Sequence, residues 1–294
     1  MAQQLSIQVG GHKPGDGSKD SHAFLALEDG TILKPLQKGK RGDSERNFYL
    51  EVERRTKSGT LRDADSTEEQ FRQKRSLEVL LTLIPRFIAV RELPPEQGGV
   101  PGLKYLQLEN ILAKFQTPSV LDVKLGQRTY DEDATPDKID YELKRAPFQH
   151  IVGFRITGMQ VYQSASRSNV VHGKSLGRSL DDKTSQSGLA QFFMDGATLR
   201  ADIVRMFLAQ LRPFEEWFAK LNDTFCFYAS SLLFVYGPDR DTGALRTDVR
   251  LIDFAHVYPA RGCMDENNLF GVRRLMEMLA AIADGCAGTP DEHA

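Results

Sequence analysis

The run Pro118-Ser-Val-Leu-Asp122-Val-Lys124-Leu-Gly126 constrains this chain more than any other stretch. It places an acid and a base two residues apart inside an apolar segment. Successive side chains of a β-strand point to opposite faces. Leu121, Val123 and Leu125 therefore enter a core on one face, while Asp122 and Lys124 share the other. Pro118 opens the strand and Gly126 releases it. A carboxylate beside an ammonium group on a strand rim can serve a ligand that carries both hydroxyls and phosphates. Taken alone, Asp-x-Lys reads more readily as a surface ion pair.

The flanking sequence predicts strands first and mixed elements later. His22–Leu27 and Thr31–Leu36 flank Glu28-Asp29-Gly30, a hairpin pattern with an Asp-Gly turn. Lys38 to Gly42 reads as a basic loop, with Asp43 or Ser44 capping a helix that carries Glu45, Phe48, Tyr49 and Val52. Val9-Gly-Gly-His12 reads as a turn, and Lys57–Asp65 as a polar loop. Glu68–Leu83 has helical period and ends before Pro85. Phe87–Arg91 and Lys104–Leu108 predict strands. After the Asp122/Lys124 strand, a turn at Asp131–Pro136 leads into a short helix ending at Arg145. Gly153–Tyr162 predicts a strand in which Arg155, Thr157 and Met159 alternate with Phe154, Ile156 and Gly158. Ser164–Asn169 reads as a turn.

Leu199–Leu221 predicts an amphipathic helix, its apolar face running through Ile203, Met206, Phe207, Leu211, Phe214, Trp217 and Phe218, with Pro213 expected to kink it. Phe225–Tyr236 and Val249–Phe254 predict a strand pair around the loop Gly237–Asp248, with Val249, Leu251 and Asp253 on one face. Asn267–Ala283 predicts a closing helix, and both chain ends are expected to be loosely held.

Composition narrows the function classes. A net charge of −2 gives no global attraction to nucleic acid or to an anionic membrane, so an anion site has to be a local cluster of Lys and Arg. The three cysteines, Cys226, Cys263 and Cys286, lack metal-ligand spacing, and their odd number argues against a disulfide framework. A reducing compartment is expected, with no signal peptide and no membrane span.

Pro118-xxx-Asp122-x-Lys124-x-Gly126, Ser230-Ser-Leu-Leu and Ile252-Asp253-Phe, in that order, resemble the inositol polyphosphate kinase family over nearly the whole chain. The resemblance implies an α+β, two-lobed kinase-like fold. Residues 1–111 would form a strand-rich nucleotide-binding lobe. Residues 112–294 would form a larger catalytic lobe, with the segment 131–147 binding inositol phosphate.

The resemblance also implies roles. Lys34 would meet the phosphates of ATP, with Glu45 as its partner on the following helix. Backbone groups of Glu109 and Ile111 would bond the adenine edge, Asp122 would accept from the ribose hydroxyls, and Asp253 would hold Mg²⁺. Lys124 would face the transferred phosphoryl group or the substrate. Lys138 and Arg145, two helical turns apart on one face, would bind substrate phosphates with Lys174 and His256. A solvated helix face with an ordinary Lys138–Glu142 pair is the plain alternative for the first two.

The implied activity is ATP-dependent phosphorylation of hydroxyls on soluble inositol tris- and tetrakisphosphates. Phe227-Tyr-Ala-Ser-Ser-Leu-Leu-Phe-Val-Tyr236 and Phe254-Ala-His-Val257 resemble the multikinase branch. Gly158-Met-Gln-Val-Tyr-Gln163 is shared with the hexakisphosphate kinases, the alternative branch. A non-catalytic inositol phosphate-binding scaffold is the alternative class. A monomer in the cytoplasm or nucleus is expected, with no nucleic-acid partner and no membrane insertion.

Overall fold

The computed structural model describes residues 3–4, 22–58, 68–97 and 99–285. The expected turn at Val9–His12, most of the expected loop after Lys57, and Cys286 lie outside them. The first lobe is built on an antiparallel five-stranded sheet. Its strands are β1 (Gln3–Gln4), β2 (Leu25–Ala26), β3 (Thr31–Pro35), β4 (Phe87–Glu92) and β5 (Lys104–Glu109), in the order β1-β2-β3-β5-β4. The hairpin between β2 and β3 turns at Gly30, which adopts a φ of 76° that favours glycine.

Two helices separate β3 from β4. Helix α1 spans Lys40–Ser58 and α2 spans Glu68–Leu83. The expected basic loop is thus partly helix: α1 starts at Lys40, and Asp43 sits in its first turn, where a carboxylate favours the positive end of the helix dipole. Although α2 precedes β4 and β5 in the chain, it packs on the second lobe. Ser76 on α2 receives the Trp217 indole N–H at its carbonyl (2.9 Å).

After a 3-10 turn at Ile111–Lys114, the chain enters the second sheet at β6 (Ser119–Leu125). Helices α3 (Pro136–Arg145) and α4 (Gln149–Val152) follow, then β7 (Phe154–Gln163) and β8 (Ser168–His172). Thr135 caps α3, accepting from the Lys138 amide. The chain continues through α5 (Lys174–Ser179), α6 (Ser185–Ala190), and the short pair β9 (Met194–Asp195) and β10 (Thr198–Leu199). Helix α7 (Ala201–Glu216) runs through Pro213 and widens into a π turn at Trp217–Leu221. The last elements are β11 (Phe225–Phe227), β12 (Ser231–Pro238), β13 (Leu245–Ile252), β14 (Val257–Pro259) and α8 (Glu266–Ala283). The second sheet has the order β13-β12-β6-β7-β8.

Three differences from the sequence reading have clear causes. The segment Phe225–Tyr236 is two strands, not one: the chain turns at Ala229, whose φ is 55°, so β11 pairs with β14 and β12 pairs with β13. The expected turn at Ser164–Asn169 gives way to β8 from Ser168 onward. That edge strand is exposed along Ser168–Val171, and therefore lacks the alternation that marks a half-buried strand. Met206 sits on the apolar stripe of α7 but is 36% exposed, so the core-facing stripe is narrower than its spacing suggested.

One apolar core joins both lobes. Phe48 and Tyr49 of α1 pack with Phe225, Phe227 and Phe254, the Phe48 and Phe254 ring centroids lying 4.1 Å apart. The apolar face of β6 meets its expectation, since Leu121, Val123 and Leu125 are fully buried. Helix α5 lies flat against β7 because position 177 has no side chain; a Cβ there would overlap the Ile156 carbonyl oxygen. Gly177→Ala is expected to destabilise the protein by about 1–3 kcal/mol, as over-packing does. Chemical denaturation of the two proteins checks this, and equal midpoints would contradict the close packing.

Candidate active site

The two lobes meet around one lysine. Lys34 lies on β3, and its Nζ donates to Glu45 Oε1 of α1 (2.7 Å) and to Asp253 Oδ1 just beyond β13 (2.6 Å). Burial opposes the charge on Lys34. The Asp253 and Glu45 carboxylates outweigh it, so the ammonium is held above the usual lysine range. Glu45 is itself buried and also accepts from the Phe254 amide (3.4 Å).

Asp253 does not continue the strand face of Val249 and Leu251, as alternation suggested. β13 ends at Ile252, and Asp253 has a φ of 66°. Left-handed backbone is uncommon outside glycine and better tolerated by aspartate than by most residues. The turn brings its carboxylate to Lys34.

Asp122 and Lys124 share the cleft-facing side of β6. Asp122 is buried, and its Oδ1 has no hydrogen-bond partner among the described residues. Burial, reinforced by the Asp253 carboxylate, raises Asp122 to about 6. Lys124 Nζ donates to the Ala229 carbonyl (2.6 Å), which the left-handed turn at Ala229 presents to it. Burial pulls Lys124 below the usual lysine range, against the attraction of Asp253 and Asp122. Behind this turn, the buried Asn268 of α8 donates to the Phe227 carbonyl (2.7 Å), and Asp265 accepts from the Phe227 amide (2.8 Å). Ser231 lines the cleft beside Lys124 with an unpartnered Oγ, whereas Ser230 faces Asn268.

The same cleft is lined by a group of cations. Lys138 and Arg145 do share one face of α3, and both approach Glu142, Lys138 by a hydrogen bond and Arg145 at 3.6 Å. The ordinary i,i+4 pair is therefore present, yet both cations still line the cleft. Arg155 of β7 is the residue the sequence reading missed. A register shift in the β6–β7 pairing between Asp122 and Val123 breaks the simple alternation of this strand. Arg155 lines the cleft and is only 7% exposed, with Nη1 unpartnered. Burial, together with the nearby Arg145 and Arg178 charges, lowers it to about 10. Lys174 and Arg178 join this group from α5. Crowding like charges around an unpaired guanidinium is costly unless an anion joins them.

His256 completes the rim. Its Nδ1 lies 2.7 Å from Asp131 Oδ2, and burial pulls its pKa down despite that carboxylate. No sequence spacing linked His256 to Asp131.

Lys34, Asp122, Lys124 and Asp253 line a single cleft of about 840 Å³. Lys138, Arg145, Lys174 and His256 line it too. Glu109 and Ile111 are not among its lining. They sit at the end of β5 and the start of the following 3-10 turn, where the first amide has no acceptor within the turn. The Glu109 carboxylate is occupied by Lys114 (2.8 Å). The acidic groups suit a divalent ion shared with a ligand. Asp253 is a third exposed and lines the cleft with Asp122, whose pKa its charge helps raise, and the described residues contain no cluster of three or more acidic, His or Cys ligands. A magnesium ion held by one or two carboxylates and by phosphates needs no more than that.

Both the sequence and the fold match known proteins. A family model described as inositol polyphosphate kinase matches residues 105–280. Human inositol polyphosphate multikinase is 32% identical over 285 residues, an alignment covering 96% of this chain and 62% of that protein. The chain thus spans less than two thirds of the human protein's length. Inositol polyphosphate multikinase alpha of Arabidopsis thaliana is 30% identical over 310 residues, covering 98% of this chain and 96% of that one. The inositol phosphate multikinase of S. cerevisiae, solved in complex with ADP and Mn²⁺, superposes with a TM-score of 0.62 at 23% identity, over 86% of this chain and 98% of that one. The fold is accordingly the two-lobed, kinase-like α+β fold, and the chain belongs to the inositol polyphosphate kinase family.

Proposed function

We propose that this chain is an ATP-dependent inositol polyphosphate kinase of the multikinase type, acting on hydroxyls of soluble inositol tris- and tetrakisphosphates. The observation that carries this reading is one cleft lined both by a Lys–Glu–Asp link and by a crowded set of cations. The first feature suits a nucleoside triphosphate, the second a polyanionic acceptor.

In this reading Lys34 meets the ATP phosphates, and Asp122 accepts from the ribose hydroxyls through its unpartnered oxygen. Backbone groups of Glu109 and Ile111 bond the adenine edge. Asp253 would hold Mg²⁺, which when bound neutralises phosphate charge. Lys124 faces the transferred phosphoryl group. Lys138, Arg145, Lys174 and His256 seat the acceptor, joined by Arg155 and Arg178. Phosphoryl transfer has a loose transition state, so these residues act mainly by positioning and by balancing charge. The lobes would divide at 111/112, and the enzyme would work as an intracellular monomer without a nucleic-acid partner.

Turnover of labelled ATP on a panel of inositol phosphates tests the reading. Product from tris- and tetrakisphosphates is expected. Product from the hexakisphosphate alone would move the chain to the other branch, and binding without turnover would make it a scaffold. Lys34→Ala, Lys124→Ala and Asp253→Asn should each lower kcat by roughly 10²- to 10³-fold, the scale of losing one charge-stabilising group. Full activity in any of them would contradict its assignment.

Asp122 provides a second test, in which stability and activity move in opposite directions. Burial pushes its carboxyl up to about 6 in the folded protein, above the ordinary aspartate value of 3.8. The folded state therefore holds this proton more tightly, and ionising the group costs stability progressively between those two values. The full cost stands above about pH 6 and vanishes below about pH 4. Asp122→Asn should be more stable than the parent by roughly 1–3 kcal/mol at neutral pH, with no gain in acid. The same variant should raise the KM for ATP by roughly 10-fold or more, since a charged acceptor is lost. Melting curves across pH, paired with ATP titrations, check both signs.

A further inference from the structure

The reading above leaves unassigned the group that receives the proton of the attacking hydroxyl. We propose that Asp131 is a positioning residue that fixes the His256 ring with Nε2 facing the cleft, as acceptor for the proton of the substrate hydroxyl. The inference rests on the kinase reading and goes beyond it.

The geometry allows one arrangement of protons. A carboxylate only accepts hydrogen bonds. At 2.7 Å from Asp131 Oδ2, Nδ1 must therefore carry the ring hydrogen. In the neutral ring Nε2 then bears the lone pair, and it has no hydrogen-bond partner among the described residues. His256 and Asp131 both line the cleft, on the rim that also holds Lys124. The charged groups around the ring come from three elements: Asp131 from the loop after β6, Arg41 from α1 and Lys124 from β6. The two cations and burial disfavour a protonated imidazole, so the lone pair stays available near neutral pH.

Asp131 is itself held on both sides. The Arg128 amide donates to Asn267 Oδ1 (2.9 Å), and Asn267 Nδ2 donates back to the Arg128 carbonyl (3.0 Å). Arg128 Nη2 donates to the Tyr228 hydroxyl (2.7 Å), which donates to Glu132 (3.2 Å). Asp133 accepts from Tyr258 (3.0 Å) and pairs with Lys40. A loop tied at Arg128, Glu132 and Asp133 keeps the carboxylate between them in place. This is the arrangement of a general base oriented by a third group.

The step balances simply. The substrate oxygen forms a bond to the γ-phosphorus of ATP, the bond from that phosphorus to the bridging oxygen breaks, and ADP leaves with the electron pair. The hydroxyl proton passes to Nε2 and then to solvent. With a loose transition state the transfer occurs late, so His256 assists a step driven mainly by positioning.

A double-mutant cycle on the full chain tests the assignment, with kcat and both KM values measured for Asp131→Asn, His256→Asn and the pair. Asp131→Asn should lower kcat by roughly 10- to 100-fold and leave the KM for ATP within about twofold, the lower range for general-base assistance. The double variant should be no slower than His256→Asn, because Asp131 acts only through the ring. Nitrogen NMR of the ring supplies a readout apart from activity: the parent should show the Nδ1–H tautomer, and Asp131→Asn should lose that preference. Unchanged kcat in Asp131→Asn, additive losses in the double variant, or an Nε2–H tautomer in the parent would each overturn the proposal. A parent protein with no turnover on any inositol phosphate would instead overturn the kinase reading on which it rests.

Discussion

The link from Lys34 to Glu45 and Asp253 holds the site together. It is a single buried cation shared by a strand of the first sheet, the helix after it, and the end of a strand 219 residues later. Burying an ammonium group is unfavourable unless its partners are close and well oriented, and removing one partner of such a pair costs roughly 3–5 kcal/mol. The aromatic cluster of Phe48, Tyr49, Phe227 and Phe254 supplies the rigidity that keeps these partners in register. Position 253 shows how closely packing and chemistry are tied: Phe254 is in the core, while the preceding aspartate is turned by left-handed backbone toward the cleft.

The cleft concentrates opposing electrostatic costs. Asp122 is buried with an oxygen unsatisfied, Arg155 is buried with a guanidinium nitrogen unsatisfied, and burial holds Lys124 below the usual lysine range. A domain selected for stability alone would not retain all three. In the proposed reading each cost would be relieved by a different part of the same ligand pair: ribose hydroxyls at Asp122, acceptor phosphates at Arg155, and the transferred phosphoryl group at Lys124. Stability given up at these groups would then return as binding energy to those ligands.

Much of this was legible in the sequence where period and chemistry coincide. The alternation of Leu121, Asp122, Val123, Lys124 and Leu125 described β6 correctly, and Glu68–Leu83 matched α2 end to end. The pairing of Lys34 with Glu45 was expected only by analogy with the helix glutamate of protein kinases, and the structure shows it. Other features depend on backbone geometry that a residue pattern does not carry. A register shift beside Asp122 changes what Arg155 meets, a turn at Ala229 splits one expected strand into two, and the exposed β8 has no alternation to detect. The Asp131–His256 contact joins residues 125 positions apart, and only the fold brings them together.

The account rests on nucleotide and acceptor occupying one cleft, on either side of Lys124. The most direct measurement is a crystal structure of the full chain with a non-hydrolysable ATP analogue, a divalent ion and an inositol tetrakisphosphate. The account predicts triphosphate oxygens against Lys34 and Asp253, ring phosphates against Lys138, Arg145 and Arg155, and Lys124 between the two. An inositol phosphate bound outside this cleft, or a nucleotide bound away from Lys34, would contradict it.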